Sequence, residues 1–210
     1  LILAFACLSF GGWVQLEPQP LDKLDKEKEM RARVRAIMKK MTLLDKAGEM
    51  TQLTLDMISV GENYNLESPH RLDTAKLRKA LLDYRVGSIL NTGMQENTLE
   101  HWHEIIAEIQ RIATKEKPTG IPVLYGIDAI HGSNYTAGAN LHPQQIGLAA
   151  TWNPEMAREL SRMSAYETRA SFIPWTFSPV LDLGRDPRWP RLWEIGRASC
   201  RGKSVDLGGR

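Results

Sequence analysis

Apolar residues recur along this chain at two periods, and the alternation between them sets the architecture. From Asp22 to Met41 the period is helical: Met30, Val34, Ile37, Met38 and Met41 share one face, and the Lys, Arg and Glu residues between them form the solvated one. Thr42-Leu43-Leu44-Asp45 reads as a new helix start, with Thr42 as cap and an acid three positions on. Leu43, Ala47 and Met50 continue its apolar face, and residues 54–70 lack periodicity and read as loop. A further helix fits Thr74 to Tyr84, with Leu77, Leu81 and Tyr84 inward. Thr98 caps the next, whose stripe is Leu99, Trp102, Ile106, Ile109 and Ile112. Asn153-Pro154 opens the last, with Met156, Leu160 and Met163 inward as far as about Arg169.

Between the helices lie short strands. Gly87 to Asn91 is one, and Pro174 to Leu181 another, followed by a loop from Asp182 to Arg191. The most informative is the run Ile121-Pro122-Val123-Leu124-Tyr125-Gly126-Ile127, which ends at Asp128 between glycines 126 and 132. Strands alternating with helices of ten or more residues indicate parallel βαβ units, hence the α/β class. A β/α barrel presents its binding groups at the C-terminal ends of such strands, which makes Asp128 the first candidate. Capping of a turn or of the following helix is an equally good reading of Asp128 from this stretch alone. A second polar cluster, Asp182 to Glu194, would lie on the same face.

Composition narrows the partners. With 42% apolar and 25% charged residues and a net charge of +2, the 210-residue chain has the balance of a soluble globular protein and no basic excess for nucleic acid or an anionic membrane surface. An uncharged ligand such as a sugar fits that balance, as do many others. Four of the six tryptophans (Trp152, Trp175, Trp189, Trp193) fall in the last third, where aromatic faces beside charged groups would make a sugar platform; core packing explains Trp175 at least as well. Leu1 to Phe10 is apolar apart from Ser9, too short to span a bilayer, and followed by the linker Glu17-Pro18-Gln19-Pro20; residues 1–20 read as the remnant of a secretory signal peptide and linker, implying a periplasmic or extracellular location. Cys7 lies in that remnant, where a lipoprotein attachment site is open but Phe5 is bulky for one, and without Cys200 of the tail the mature domain holds no cysteine. His101 and His103, two apart on a helix, point to different faces and read as surface residues rather than a metal pair. No cluster has ligand spacing and no Gly-rich strand-to-helix fingerprint occurs, so neither a metal nor another cofactor is expected.

Several segments together carry a resemblance. They are Met41-Thr42-Leu43 with Lys46 and Gln52, Tyr84 to Ser88, Ile121 to Gly132, Pro143 to Asn153, Tyr166 to Ala170, and Phe177 to Arg191. In this order and spacing the chain resembles the N-terminal barrel domain of family 3 glycoside hydrolases, most closely the bacterial β-glucosidase branch. The resemblance implies the N-terminal portion of a TIM-type barrel over residues 21–194, truncated before closure. It implies a retaining hydrolase acting on β-glucosides or oligosaccharides. Asp128 matches the family aspartate that grips hydroxyls of the glucosyl ring, and Arg191 the arginine that donates to the same ring; an adjacent guanidinium would hold Asp128 ionised. Arg188 is expected to shape its loop through a salt bridge, and His131 to order its own. The family nucleophile and acid/base come from later segments, so no catalytic residue is named, and Asp182 and Glu194 do not match as the pair. Phe172 stands where the family has glycine and would need local room; His142 stands where it has phenylalanine.

Ile195 to Arg210 departs from the family and matches the translation of a common short-read sequencing adapter, so residues 195–210 are expected to be an artefact of assembly. Other readings remain beside the leading one: a β-xylosidase or exo-glucanase of the same family, or, for the 210 residues alone, a non-catalytic sugar-binding piece or one that does not fold, inactive on aryl β-glucosides. The sequence carries no sign of oligomeric state.

Overall fold

The computed structural model describes residues 21–62, 65–66, 68–92, 95–180, 186–188 and 190–191, apart from the side chains of 21–24 and 65. The chain divides into two compact units, Leu1–Met41 and Thr42–Arg210. In the first, helix α1 (Leu21–Lys40) carries Met30, Val34, Ile37 and Met38 on one exposed stripe.

The second unit is built on a parallel sheet. Strands β1 (Gln52–Thr54), β4 (Ser88–Leu90), β5 (Leu124–Ile127) and β6 (Trp175–Thr176) lie in that order, every neighbour parallel. Leu53 pairs with Ile89 and Ile89 with Tyr125, so one register runs across three strands. Helix α2 (Leu43–Glu49) precedes β1, α3 (Thr74–Arg78) precedes β4, α4 (Leu99–Lys115) precedes β5, and α5 (Gln145–Ala150) and α6 (Pro154–Ala170) precede β6. This is the α/β architecture expected, an open sheet of four strands among the described residues and part of a TIM-type barrel.

The core lies between the sheet and its helices. Trp102, Ile105, Ile109 and Ile112 of α4 and Ile89, Tyr125 and Ile127 of the strands are at most 1% exposed. Each such side chain contributes on the order of 2 kcal/mol by leaving water. The caps form as their residue types dictate. Thr42 and Asp45 make a reciprocal capping box, Thr98 accepts from the His101 amide, and Asn153 accepts from the Met156 amide with Pro154 in the first turn.

Several expectations are corrected. Residues 54–70 are not plain loop: Leu55–Ile58 forms a 3-10 turn, and β2 (Gly61–Glu62) pairs antiparallel with β3 (Asn65–Leu66). Helix α2 does not bury Leu43 or Met50, which are 84% and 88% exposed. It packs instead through Gly48, whose carbonyl accepts from the Gly87 amide at 2.9 Å; a Cβ at Gly48 would meet the Tyr84 carbonyl oxygen at 2.4 Å. Tyr84 is exposed although Leu77 and Leu81 are buried, because Lys79–Asp83 is a π-turn whose extra residue rotates the chain beyond it out of phase. In α6 only Ala157 and Thr168 are buried, while Met156, Leu160 and Met163 are partly covered or exposed. The strand expected over 174–181 is confined to Trp175–Thr176, with residue 181 outside the described residues.

Candidate functional site

Asp128 follows the last residue of β5, and its position is set by the neighbouring strand. Asn91, the residue after β4, donates from Nδ2 to the Asp128 carboxylate at 2.8 Å and accepts from the Asp128 amide at 2.9 Å. Both contacts need Asn91 turned back over the strand end, and it takes a left-handed φ of 52° to do so, a conformation asparagine tolerates better than most residues. Its backbone is pinned on both sides: the amide donates to Gly126 O at 2.9 Å, and its carbonyl accepts from the buried Tyr125 hydroxyl. Burial, with Asp56 nearby, pushes the Tyr125 phenol well up, so it stays a donor. A carboxylate has about four acceptor sites, and the Asn91 amide occupies one. The half-buried Asp128 is thus oriented by a neutral partner.

The loop after Asp128 is ordered by its own backbone. Asn134, with its amide nitrogen turned inward, donates to Gly132 O at 3.1 Å and to Asp128 O at 3.2 Å. Gly132 sits at φ 113° with its Cα against Asn140, where a Cβ would be 2.1 Å from the carbonyl oxygen, so only glycine fits. His131 Nδ1 lies 3.2 Å from His142 O, and since a carbonyl only accepts, that nitrogen carries the proton. His131 therefore ties its loop, as expected from the sequence. Below this loop a cavity of about 60 Å³ is lined by His131, His142, Gln145, Ser161, Ser164 and Thr176, among others. Buried His142 Nε2 and Gln145 Oε1 beside it have no hydrogen-bond partner among the described residues.

The second cluster is arranged differently. Arg188 holds Asp186 through bonds of 3.0, 3.1 and 2.6 Å, an exposed pair two residues apart that shapes its loop. The Arg188 guanidinium holds the Asp186 carboxyl below its usual range. Arg191 is exposed in the same loop after β6. Asp182, Trp189, Trp193 and Glu194 lie outside the described residues, as do Cys7 and residues 195–210. Trp152 is 91% exposed at the end of α5, and Trp175 packs edge-on against Phe177 across Gly126, where a Cβ would lie 2.6 Å from the Phe177 ring.

The two histidines of α4 are corrected. Neither is a free surface group: His101 Nε2 contacts His70 Nδ1 at 3.0 Å, and His103 Nε2 donates to Ala170 O at 2.7 Å. His103 also stacks on Phe172 with centroids 3.8 Å apart, and Phe172 finds its room by standing half-exposed at φ 62°. Among the described residues no group of three or more His, Cys, Asp or Glu side chains could hold a metal ion, and no helix is long and apolar enough to cross a membrane.

Sequence reading found Asp128 but missed Asn91, which it placed only as the end of a strand. A polar residue ending one strand opposite a carboxylate ending the next was the available signal.

Residues 42–195 match the family model described as glycosyl hydrolase family 3 N terminal domain. The chain is 35% identical over 166 residues to a lysosomal beta glucosidase of Dictyostelium discoideum, covering 75% of this chain and 20% of that protein. To a periplasmic beta-glucosidase of Salmonella typhimurium it is 30% identical over 158 residues, covering 75% and 17%. The crystal structure of an exo-1,3/1,4-beta-glucanase from a Pseudoalteromonas species superposes with a TM-score of 0.62 at 28% identity, covering 79% of this chain and 19% of that one. The chain thus spans about a fifth of the length of these relatives.

Proposed function

The chain belongs to glycosyl hydrolase family 3, and we propose that it is the N-terminal barrel portion of a longer retaining β-glucosidase that removes terminal β-linked glucosyl residues. The observation that carries this reading is the Asp128 carboxylate at the C-terminal end of β5, fixed by the Asn91 amide with acceptor sites to spare. Ring hydroxyls of a pyranose donate to such a carboxylate, and bonds to an ionised acceptor are worth about 1.5–3 kcal/mol each. Because Asn91 supplies the orientation, the substrate need not pay for it on binding. Arg191 supplies donors to the same ring. Asp128 and Arg191 hold the sugar, and two carboxylates outside these residues cut the bond, one as nucleophile and one as acid and base.

A second reading, an exo-glucanase or β-xylosidase of the same family, is favoured by the exo-1,3/1,4-beta-glucanase among the structural neighbours. The two differ in what lies beyond the first sugar. We read residues 1–20 as the remnant of an export signal, giving a periplasmic or extracellular enzyme, which N-terminal sequencing of the mature protein checks. We read residues 195–210 as adapter-derived, and codons differing from the adapter at several places in the nucleotide record would overturn that.

The test is to express the complete reading frame and follow hydrolysis of aryl β-glucoside, β-xyloside and laminari-oligosaccharides by proton NMR. The reading predicts fastest turnover of the β-glucoside with the β-anomer released first. Release of the α-anomer first would overturn the retaining assignment, and preference for the xyloside or for the oligosaccharides would establish the second reading.

A further inference from the structure

Ser59, His70, His101 and Glu104 form one hydrogen-bonded file joining three parts of the fold. Ser59 ends the 3-10 turn after β1, His70 lies on the return from the β2–β3 pair, and His101 and Glu104 sit in the first turns of α4. His70 Nε2 is 2.9 Å from Ser59 Oγ, His70 Nδ1 is 3.0 Å from His101 Nε2, and His101 Nδ1 is 3.0 Å from Glu104 Oε2. Ser59 and His70 are 0% and 4% exposed, so the serine hydroxyl is out of reach of any substrate and the file is no nucleophile relay.

The donors and acceptors fix a proton count. Ser59 Oγ gives its single hydrogen to Leu55 O at 2.7 Å, so towards His70 it accepts, and His70 Nε2 carries a proton. Glu104 as a carboxylate only accepts, so His101 Nδ1 carries another. One proton must lie between the two rings. The pair therefore holds three ring protons and one net positive charge, placed on His101 beside Glu104. A fourth proton sets Nδ1–H of His70 against Nε2–H of His101, donor against donor and cation against cation. We propose that this file is an acid-sensitive latch that ties Ser59 and His70 to α4 at neutral pH and releases them when His70 takes up a proton.

The segment it would release follows the C-terminal end of β1, on the face where Asp128 ends β5. Among the described residues, Val60 also donates to Arg71 O at 3.0 Å, Asp73 to Ile58 O at 2.9 Å and Gln95 Nε2 to Leu66 O at 3.2 Å. Charged groups near the pair among the described residues include Asp56 from the turn, Lys76 of α3, whose ammonium donates to Ser59 O at 2.8 Å, and Glu104 on α4. Burial, then His101, pushes the His70 imidazole down to about 4 from 6.5, with Asp56 opposing. The folded value lies below the unfolded one, so the stabilisation is complete above pH 6.5 and is lost as the pH falls to about 4.

Long-range proton–nitrogen spectra of the histidine rings, with amide hydrogen exchange, test this on the whole chain. At pH 7 His70 should be the neutral Nε2–H tautomer. Between pH 7 and 4 the Val60 and Asp73 amides should lose protection on the order of 100-fold beyond the intrinsic change, while the Ile109 amide of α4 keeps its own. A His70 ring that carries its proton on Nδ1 at pH 7, or protection at Val60 and Asp73 that tracks Ile109 at every pH, would overturn the latch.

Discussion

Glu49 and Asp45 near the N-terminal ends of the parallel strands and Asp128 at the C-terminal end of β5 are held in opposite ways. Near the N-terminal ends of the strands two carboxylates are matched to cations. Glu49 pairs with Lys117 at 2.6 Å, and Asp45 lies 3.3 Å from Arg85 while bonding its own helix cap. Lys117 is 3% exposed, so this charge is used inside the fold, bolting α2 to the segment that feeds β5. At the C-terminal end of β5, Asp128 is held by the Asn91 amide, which orients the carboxylate and leaves its charge for another partner. Near the N-terminal ends ion pairs tie the fold together, whereas at the C-terminal end of β5 a neutral amide orients the Asp128 carboxylate. A carboxylate's role is thus told by what holds it more than by its place in the sequence.

That contrast can be broken first at the N-terminal end. Lys117→Met keeps the chain length but leaves Glu49 half of a pair, and should cost about 3 kcal/mol in urea unfolding without altering sugar affinity. Asn91→Ala at the other end should cost less stability, about 1–2 kcal/mol from lost hydrogen bonds and a less tolerant left-handed backbone, yet weaken sugar binding. Equal loss of binding in both variants would erase the distinction. Asp45→Asn addresses pH. The Thr42 hydroxyl and amide, with smaller help from Arg85 and Lys117, hold the Asp45 carboxyl below its usual range. Its stabilisation is therefore complete above the ordinary carboxylate range and is lost as the pH falls through the folded value, so the variant should flatten the acid limb of a stability profile. Smallest of all, Phe172→Gly relieves a left-handed residue but gives up its stack on His103, and should move stability by less than about 1 kcal/mol.

What was legible in the sequence was what local chemistry decides. The caps at Thr42, Thr98 and Asn153, the α4 stripe and the strand ending at Asp128 each arise from residues a turn or two apart. What escaped depended on approach between distant segments. The inward face of α2 is set by Gly48 against residues 84, 85 and 87, not by its leucines, and Tyr84 is turned out by a π-turn that leaves no mark in the hydrophobic period. Asn91 matters through a bond across two strands, and His101 through one to His70. Asp128 was found because a strand end is visible in sequence; its partner was not, because pairing belongs to the sheet.

The central claim is that Asp128 holds the sugar while other carboxylates cut it. Its most direct test is kcat/KM for an aryl β-glucoside in the longer enzyme carrying Asp128→Asn, measured together with the unfolding midpoint. The claim predicts a fall of about 10- to 100-fold, the worth of bonds to an ionised acceptor, with the midpoint unchanged and retention preserved. Unchanged kinetics, or a midpoint that falls in step with activity, would contradict it and return Asp128 to the scaffold.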